Sequence, residues 1–138
     1  MVAEAADHGA QVDELTSAPG EGYFVPPTLL TGVQTSNPVL KREVFGPVVP
    51  VVVIGDEDEA VYLANDTEVG LAGYVFGTLS SALRVAEQLE VGMVGVNRGL
   101  LSDAAAPFGG VKHSGLGREG GHEGLAEYQD TSYLSVDW

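Results

Sequence analysis

Three apolar segments between residues 48 and 96 have the pattern of buried strands. Val48 to Ile54 is a β-branched run interrupted only by Pro50, which suits a strand covered on both faces. Gly70 to Gly77 and Gly92 to Val96 are shorter runs bounded by glycine. A helical pattern separates each strand from the next. The order predicts an α/β fold: a parallel-stranded sheet with right-handed crossovers and flanking helices.

The two intervening helices carry start signals of their own. Asp56 is a helix cap followed by acidic residues, and it predicts a helix that runs through Asn65. Ser80 or Ser81 caps the second helix, which runs through Leu89. Its apolar residues recur at helical spacing and predict one buried face: Ala82, Val85, Ala86 and Leu89.

The remaining segments are predicted from local signals. Val2 to His8 reads as the end of a helix, and Tyr23 to Leu30 as extended chain because Pro26-Pro27 blocks a helix. Leu100 to Gly117 is a long Gly-rich loop, the kind of loop that is often functional, and Glu119 to Tyr128 a short helix. Thr131 to Val136 has the pattern of a strand without a partner nearby in sequence. It is therefore free to join another sheet edge.

Composition narrows the classes of function. The 138 residues are enough for one domain and carry a formal net charge of −14, which opposes binding to nucleic acid and to anionic membrane surfaces. No apolar run is long enough for a membrane span, and the acidic N-terminus lacks a secretory signal, so a cytoplasmic location is expected. The absence of cysteine excludes disulfides and thiolate metal sites.

Two motifs suggest ligand sites but have simpler structural readings. The segment from Gly115 to Gly120 fits GxGxxG, yet a loop precedes it, and the chain ends about where the required acid would lie. A structural turn is favoured over a phosphate cradle. The acidic run that begins at Asp56 could attract a hard cation, but its spacing matches no Ca²⁺ loop. It is read as a helix start, and no metal site is predicted.

Two other motifs are read in the same way. Lys112-His113-Ser114 contains the residue types of nucleophilic catalysis, but adjacent loop positions rarely converge, so an exposed turn is favoured. Asn65-Asp66-Thr67 has the form of a glycosylation sequon and is read as a helix C-terminal cap. Residue chemistry alone thus leads to an acidic α/β domain with one suggestive glycine loop.

A series of short motifs runs in order over nearly the whole chain. The clearest are Glu43-Val44-Phe45-Gly46-Pro47 and Ala106-Pro107-Phe108-Gly109-Gly110-Val111-Lys112. The full set occupies residues 22–25, 27–30, 43–47, 63–67, 70–73, 92–97, 106–112, 114–119 and 127–128. In this order the motifs resemble the C-terminal part of an aldehyde dehydrogenase, closest to the succinate-semialdehyde dehydrogenase branch.

The resemblance implies oxidation of an aldehyde to a carboxylic acid with NAD or NADP. In that family a cysteine thiolate attacks the aldehyde, and a glutamate activates the water that releases the acid. Glu43 matches the residue that accepts hydrogen bonds from the nicotinamide-side ribose hydroxyls, a task that suits one bidentate carboxylate. Phe45 matches the aromatic residue that helps to position the nicotinamide ring. Without the resemblance, a solvated acid and a core aromatic would be the better readings.

The resemblance also implies roles nearer the C-terminus. Phe108 matches a wall of the aldehyde pocket, and Ser102 a loop serine offered to the distal carboxylate of a semialdehyde. Arg118 and Asp130 match a charge pair that braces the subunit interface. Residues 1–126 would then be the C-terminal portion of the catalytic domain, and 127–138 an oligomerisation strand that joins a neighbouring subunit.

The family's cysteine, glutamate base and dinucleotide-binding domain lie upstream of the part that this chain resembles. The chain is therefore expected to be a catalytically incomplete fragment, inactive by itself. Its expected partners are an aldehyde in the complete enzyme, and either further copies of itself or an N-terminal half. The alternative is a non-catalytic interaction module that retains the subunit-interface surface.

Overall fold

The computed structural model describes residues 1–138, which divide into two units, Met1–Ala60 and Val61–Trp138. The first unit begins with helix α1 (Val2–Asp7) and contains a three-stranded sheet. Its strands are β1 (Gln11–Glu14), β2 (Thr28–Thr31) and β3 (Val48–Pro50). The central strand β2 pairs antiparallel with β1 and parallel with β3, and a short 3₁₀ helix (Pro38–Lys41) precedes β3.

The core of the first unit lies around the central strand of its sheet. Leu30 on β2 is fully buried and packs with Ala5, Ala10, Val33 and Val39. Partly buried apolar side chains surround this cluster: Val2, Leu40, Val44, Val48 and Val52. Burial of these apolar groups is the main force that joins α1, the sheet and the 3₁₀ helix.

The second unit is built on two pairs of strands. Helix α2 (Glu57–Asn65) leads into it and is followed by β4 (Val69–Gly70), β5 (Ala72–Val75), α3 (Leu79–Ala86) and β6 (Met93–Val96). Strands β5 and β6 pair in parallel, and α3 packs against both. After a loop, β7 (Val111–Lys112) pairs antiparallel with β4, and α4 (Glu123–Ala126) follows.

The helices predicted at Val2 to His8 and from Asp56 to Asn65 form close to the expected residues, whereas the one predicted over Glu119 to Tyr128 is limited to Glu123–Ala126. The Asp56 carboxylate accepts a hydrogen bond from the Glu59 N–H (2.8 Å), while the Glu59 carboxylate accepts one from the Gly55 N–H (2.7 Å). This reciprocal capping explains the acidic run as a helix start. Helix α3 has Thr78 as its N-cap, two to three residues earlier than predicted, and it ends at Ala86 rather than at Leu89. Its predicted apolar face points inward, with Ala82 1% exposed. The α/β class is confirmed.

The predicted order of parallel strands needs correction. The first strand is limited to Val48–Pro50 and pairs with β2, while only β5 and β6 form the predicted parallel crossover pair. After Pro50, the Val51 N–H still donates to Leu30 O (2.8 Å), but residues 52–54 continue without a strand partner. The predicted burial on both faces is also wrong: no residue of Val48 to Ile54 is buried, and Val53 is 86% exposed. The ladder ends where a neighbouring strand ends.

The C-terminal segment forms no strand in this chain. Residues 127–138 have neither helix nor sheet, and their side chains are exposed. A strand needs a neighbour to accept its backbone hydrogen bonds, and none is present for Thr131 to Val136. Pairing with a neighbouring subunit stays a prediction. None of the four α-helices has the length and apolar content needed to cross a membrane.

Candidate functional site

The segment that carries Glu43 and Phe45 is anchored at its start by a buried asparagine. Asn37 is 1% exposed; its Nδ2 donates to Ala5 O (3.0 Å) and its Oδ1 accepts from the Val39 N–H (3.1 Å). The first bond fixes the segment to α1, and the second begins the 3₁₀ helix. This stretch of chain therefore leaves the core in a defined direction.

Three further contacts fix the path of residues 42–48. The Arg42 guanidinium forms a two-pronged ion pair with the Glu4 carboxylate (2.7 and 3.1 Å), and Val44 packs against the core. The Pro47 carbonyl accepts a hydrogen bond from the Thr28 N–H (2.8 Å) at the start of β2. Because Val44 is turned inward, its two neighbours, Glu43 and Phe45, are both exposed.

Glu43 and Phe45 are thus presented together to solvent. Phe45 is 95% exposed, and Glu43 is exposed beside it. A free carboxylate accepts hydrogen bonds from paired hydroxyl groups, and an open aromatic face can pack against a planar ring. The pair therefore fits a ligand that has a sugar diol next to a ring.

Ser102 lies in the loop that follows β6 and is exposed to solvent. Asn97 marks the start of this loop: its φ is +53°, its Oδ1 accepts from the Gly77 N–H (2.9 Å) and its Nδ2 donates to Gly77 O (3.0 Å). Sequence reasoning gave Asn97 no role, although asparagine tolerates this conformation better than most residues. Arg98 donates from Nε to Leu100 O (2.8 Å) within the same loop.

Phe108 is half-buried at the far end of the loop. It exchanges both backbone hydrogen bonds with Glu119, at 2.7 and 2.8 Å. Arg118, next to Glu119, donates from Nη1 to Gly110 O (2.8 Å) and Gly117 O (2.7 Å). No ion pair joins Arg118 to Asp130 within this chain, and their pairing across a subunit interface stays a prediction.

The segment Lys112-His113-Ser114 is structural, but it is not simply an exposed turn. Lys112 donates from Nζ to Asn65 O (2.8 Å) and Thr67 O (3.1 Å), so it caps the end of α2, and it pairs with Glu90. Ser114 Oγ accepts from the Gly70 N–H (2.8 Å). Only His113, which is 75% exposed, fits the predicted turn. Each of the three side chains contacts a different partner elsewhere in the chain, so the three do not form a catalytic group with an activated nucleophile.

Asn65 has a contact in addition to its predicted role. It ends α2 as expected, but its side chain reaches across to the chain after α3: Nδ2 donates to Gln88 O and Oδ1 accepts from the Glu90 N–H, both at 2.8 Å. The predicted helix end at Asn65 is confirmed, and the long-range contact of its side chain was not predicted.

The glycine motif at 115–120 forms turns, with a φ of +73° at Gly117 and +69° at Gly120. The Glu127 carboxylate lies against Gly117 and accepts from the Arg118 N–H (3.2 Å). An anionic side chain of the protein itself therefore occupies the position that a phosphate cradle would keep free. No group of three or more His, Asp or Glu side chains has the arrangement of a metal site.

The second unit thus combines a parallel β–α–β unit with a long loop that carries Ser102 and Phe108. The first unit presents an exposed carboxylate–aromatic pair, and both units have the character of an α/β protein. The sequence profile of the aldehyde dehydrogenase family matches residues 1–134. The chain belongs to the aldehyde dehydrogenase family.

Individual relatives agree with this assignment. A succinate-semialdehyde dehydrogenase from Paenarthrobacter nicotinovorans is 52% identical over 99% of this chain, which spans 31% of that protein. The crystal structure of succinate-semialdehyde dehydrogenase from Burkholderia pseudomallei has a TM-score of 0.86 and 48% identity, over 92% of this chain and 27% of that one.

A third relative was solved with a bound cofactor. The succinic semialdehyde dehydrogenase of Streptococcus pyogenes, in complex with NADP⁺, has a TM-score of 0.88 and 36% identity over 98% of this chain and 30% of that one. The chain therefore spans about a third of the length of the relatives that it matches.

Proposed function

We propose that this chain supplies cofactor-side and aldehyde-side residues to an NAD(P)-dependent semialdehyde dehydrogenase. The observation that carries the proposal is the exposure of Glu43 and Phe45 on a segment held by buried Asn37 and inward-facing Val44. The pairing of a carboxylate with an aromatic residue on a segment anchored in the core favours a ligand that has hydroxyl groups next to a ring.

The exposed pair fits one end of a nicotinamide dinucleotide. Glu43 would accept hydrogen bonds from the ribose hydroxyls, and Phe45 would hold the nicotinamide ring in place. The bound cofactor, NAD or NADP, supplies the hydride acceptor. The Streptococcus pyogenes relative, solved with NADP⁺, supports a cofactor of this class.

The loop that follows β6 is proposed to contact the aldehyde. Phe108 is half-buried and would form an apolar wall, while the exposed Ser102 hydroxyl would donate to the distal carboxylate of a semialdehyde. The three relatives reported above are all succinate-semialdehyde dehydrogenases, which favours this substrate class.

The nucleophile must come from outside these residues. The 138 residues contain no cysteine, so the segment supplies no thiolate for attack on an aldehyde. We therefore expect the segment alone to be inactive, and the thiolate and the glutamate base to belong to a separate stretch of polypeptide.

The test is a fusion enzyme in which the upstream part of the Paenarthrobacter nicotinovorans relative precedes Met1. We expect succinate semialdehyde and NAD(P) to give the absorbance of reduced cofactor with the fusion and none with the 138 residues alone. Glu43→Gln should raise the KM for the cofactor about tenfold or more, because hydrogen bonds to a charged acceptor contribute about 1.5–3 kcal/mol.

The matched control is Glu21→Gln, which removes the same charge from an exposed turn of the same unit. It should leave the KM for the cofactor and the KM for succinate semialdehyde unchanged. Equal effects of the two substitutions, or turnover by the 138 residues alone, would contradict the proposal.

The alternative, an interaction module, is favoured by the exposed apolar side chains of the C-terminal segment. Tyr133, Leu134 and Trp138 are 89%, 85% and 109% exposed. Such groups promote association, so we expect the isolated chain to form oligomers at micromolar concentration in light scattering. Deleting residues 131–138 should reduce this association. A monomer before and after the deletion would argue against both an oligomerisation strand and a module.

A further inference from the structure

Two sets of hydrogen bonds join the two ends of the loop between Phe108 and Glu119. Phe108 and Glu119 exchange both backbone hydrogen bonds at its base. Above them, Nη1 of Arg118 donates to Gly110 O (2.8 Å) and Gly117 O (2.7 Å) from a partly buried position. A charged donor shared between two carbonyls is stronger than a neutral one, so Arg118 holds the two arms of the loop together.

The loop is shaped to accept this side chain. A Cβ on Gly109 would lie 2.8 Å from Arg118 Cδ and 2.8 Å from Gly117 O. The stem of Arg118 therefore packs directly on the backbone of the residue that follows Phe108. Arg118 is therefore in close contact with the chain one residue away from Phe108.

Glu127 completes the arrangement from the end of α4. Its carboxylate accepts from the Arg118 N–H (3.2 Å), and a Cβ on Gly117 would lie 2.7 Å from Glu127 Cδ. With φ at +73°, Gly117 is a position where other residues would be strained as well as crowded. The acid thus fixes the backbone from which the arginine side chain departs.

We propose that Arg118 and Glu127 form a latch that positions Phe108 as the wall of the aldehyde pocket. The inference rests on the proposed function, and it gives Arg118 a role within the chain in addition to the interface pairing with Asp130 that the resemblance implies. Arg118 and Glu127 are positioning residues, since they act through Phe108.

The first arm of the test measures hydrogen exchange of the Phe108 and Glu119 amides in the 138-residue chain. Arg118→Met keeps the stem over Gly109 and removes both side-chain hydrogen bonds, so exchange should be about tenfold faster or more. Arg118→Lys should lie between Met and Arg. The matched control Arg84→Met, the same charge change on α3, should leave both amides unchanged.

The second arm measures kinetics in the fusion enzyme. Arg118→Met and Glu127→Ala should raise the KM for the semialdehyde about tenfold, with the KM for NAD(P) unchanged, because only the pocket wall moves. Equal rises in both KM values would overturn the role in the pocket. Unchanged amide exchange, with loss of assembly alone, would overturn the latch and leave Arg118 as an interface residue.

The two proposals fail in different ways. A fusion without any aldehyde oxidation refutes the proposed function, while the exchange measurement still decides whether the latch exists.

Discussion

Replacing Asn37 with alanine is expected to lower the free energy of unfolding by about 1–3 kcal/mol, because it leaves the buried Val39 N–H without an acceptor. Ala5 O loses one of two donors and keeps the Ala10 N–H (3.1 Å). The side chain is 1% exposed and serves both Ala5 O and the Val39 N–H. A loss of this size is a large share of the roughly 5–15 kcal/mol that stabilises a typical domain. In the fusion enzyme it should also raise the KM for the cofactor, since Asn37 anchors the segment that carries Glu43.

The matched control is Gln34→Ala, which removes an exposed amide from the same stretch of chain. It should change stability by less than about 0.5 kcal/mol. Asn37→Asp keeps the acceptor for Val39 but places a carboxylate oxygen against Ala5 O, so it should be as damaging as alanine. Urea unfolding followed by circular dichroism, below the concentration at which the chain associates, measures all three. A harmless Asn37→Ala would show that the buried hydrogen bonds do not hold the segment.

Replacing Gly92 with alanine is expected to destabilise the second unit by about 3 kcal/mol, the upper part of the range for overpacking. The added Cβ would clash with Gly109 O and lie 2.8 Å from both Gly109 C and Gly110 Cα. These are backbone atoms, so no side-chain rotation relieves the clash. The chain carrying Phe108 must move, and the KM for the semialdehyde should rise in the fusion enzyme.

Gly77→Ala is the control for this substitution. Gly77 has open space at its Cβ position and no positive φ, so alanine there should be neutral or stabilise by up to about 1 kcal/mol. The same unfolding measurement compares the two variants. Similar stabilities for Gly92→Ala and Gly77→Ala would contradict the close approach of strand β6 and the loop.

Local patterns predicted the helices better than the sheet. Asp56 and Glu59 form their capping contacts within four residues of sequence, and the apolar face of α3 follows from a 3.6-residue period. Strand length depends on a neighbour instead, so Val48 to Ile54 was overestimated, and β1 and β7 were missed. Neither missed strand has a strong apolar run. Each forms only because it pairs with a strand that is distant in sequence, β1 with β2 and β7 with β4.

The candidate site shows the same division. The motif around Glu43 and Phe45 was visible in sequence, because neighbouring residues carry both the proposed ligand contacts and the inward anchor Val44. The anchoring role of Asn37 was not visible, since its partner Ala5 lies 32 residues away. Lys112 and Ser114 were read as exposed for the same reason: their partners lie 44 to 47 residues earlier in the chain.

The sequence by itself determined the family, the α/β class and the absence of a cysteine nucleophile from these 138 residues, because ordered motifs and composition need no coordinates. Only the tertiary structure decided which side chains hold the site. Glu43 and Phe45 are exposed, the Glu127 carboxylate packs against the Gly-rich motif, and Arg118 donates hydrogen bonds to the carbonyls of Gly110 and Gly117. The physical reason is that hydrogen bonds and close packing between distant residues are set by how the chain folds back on itself.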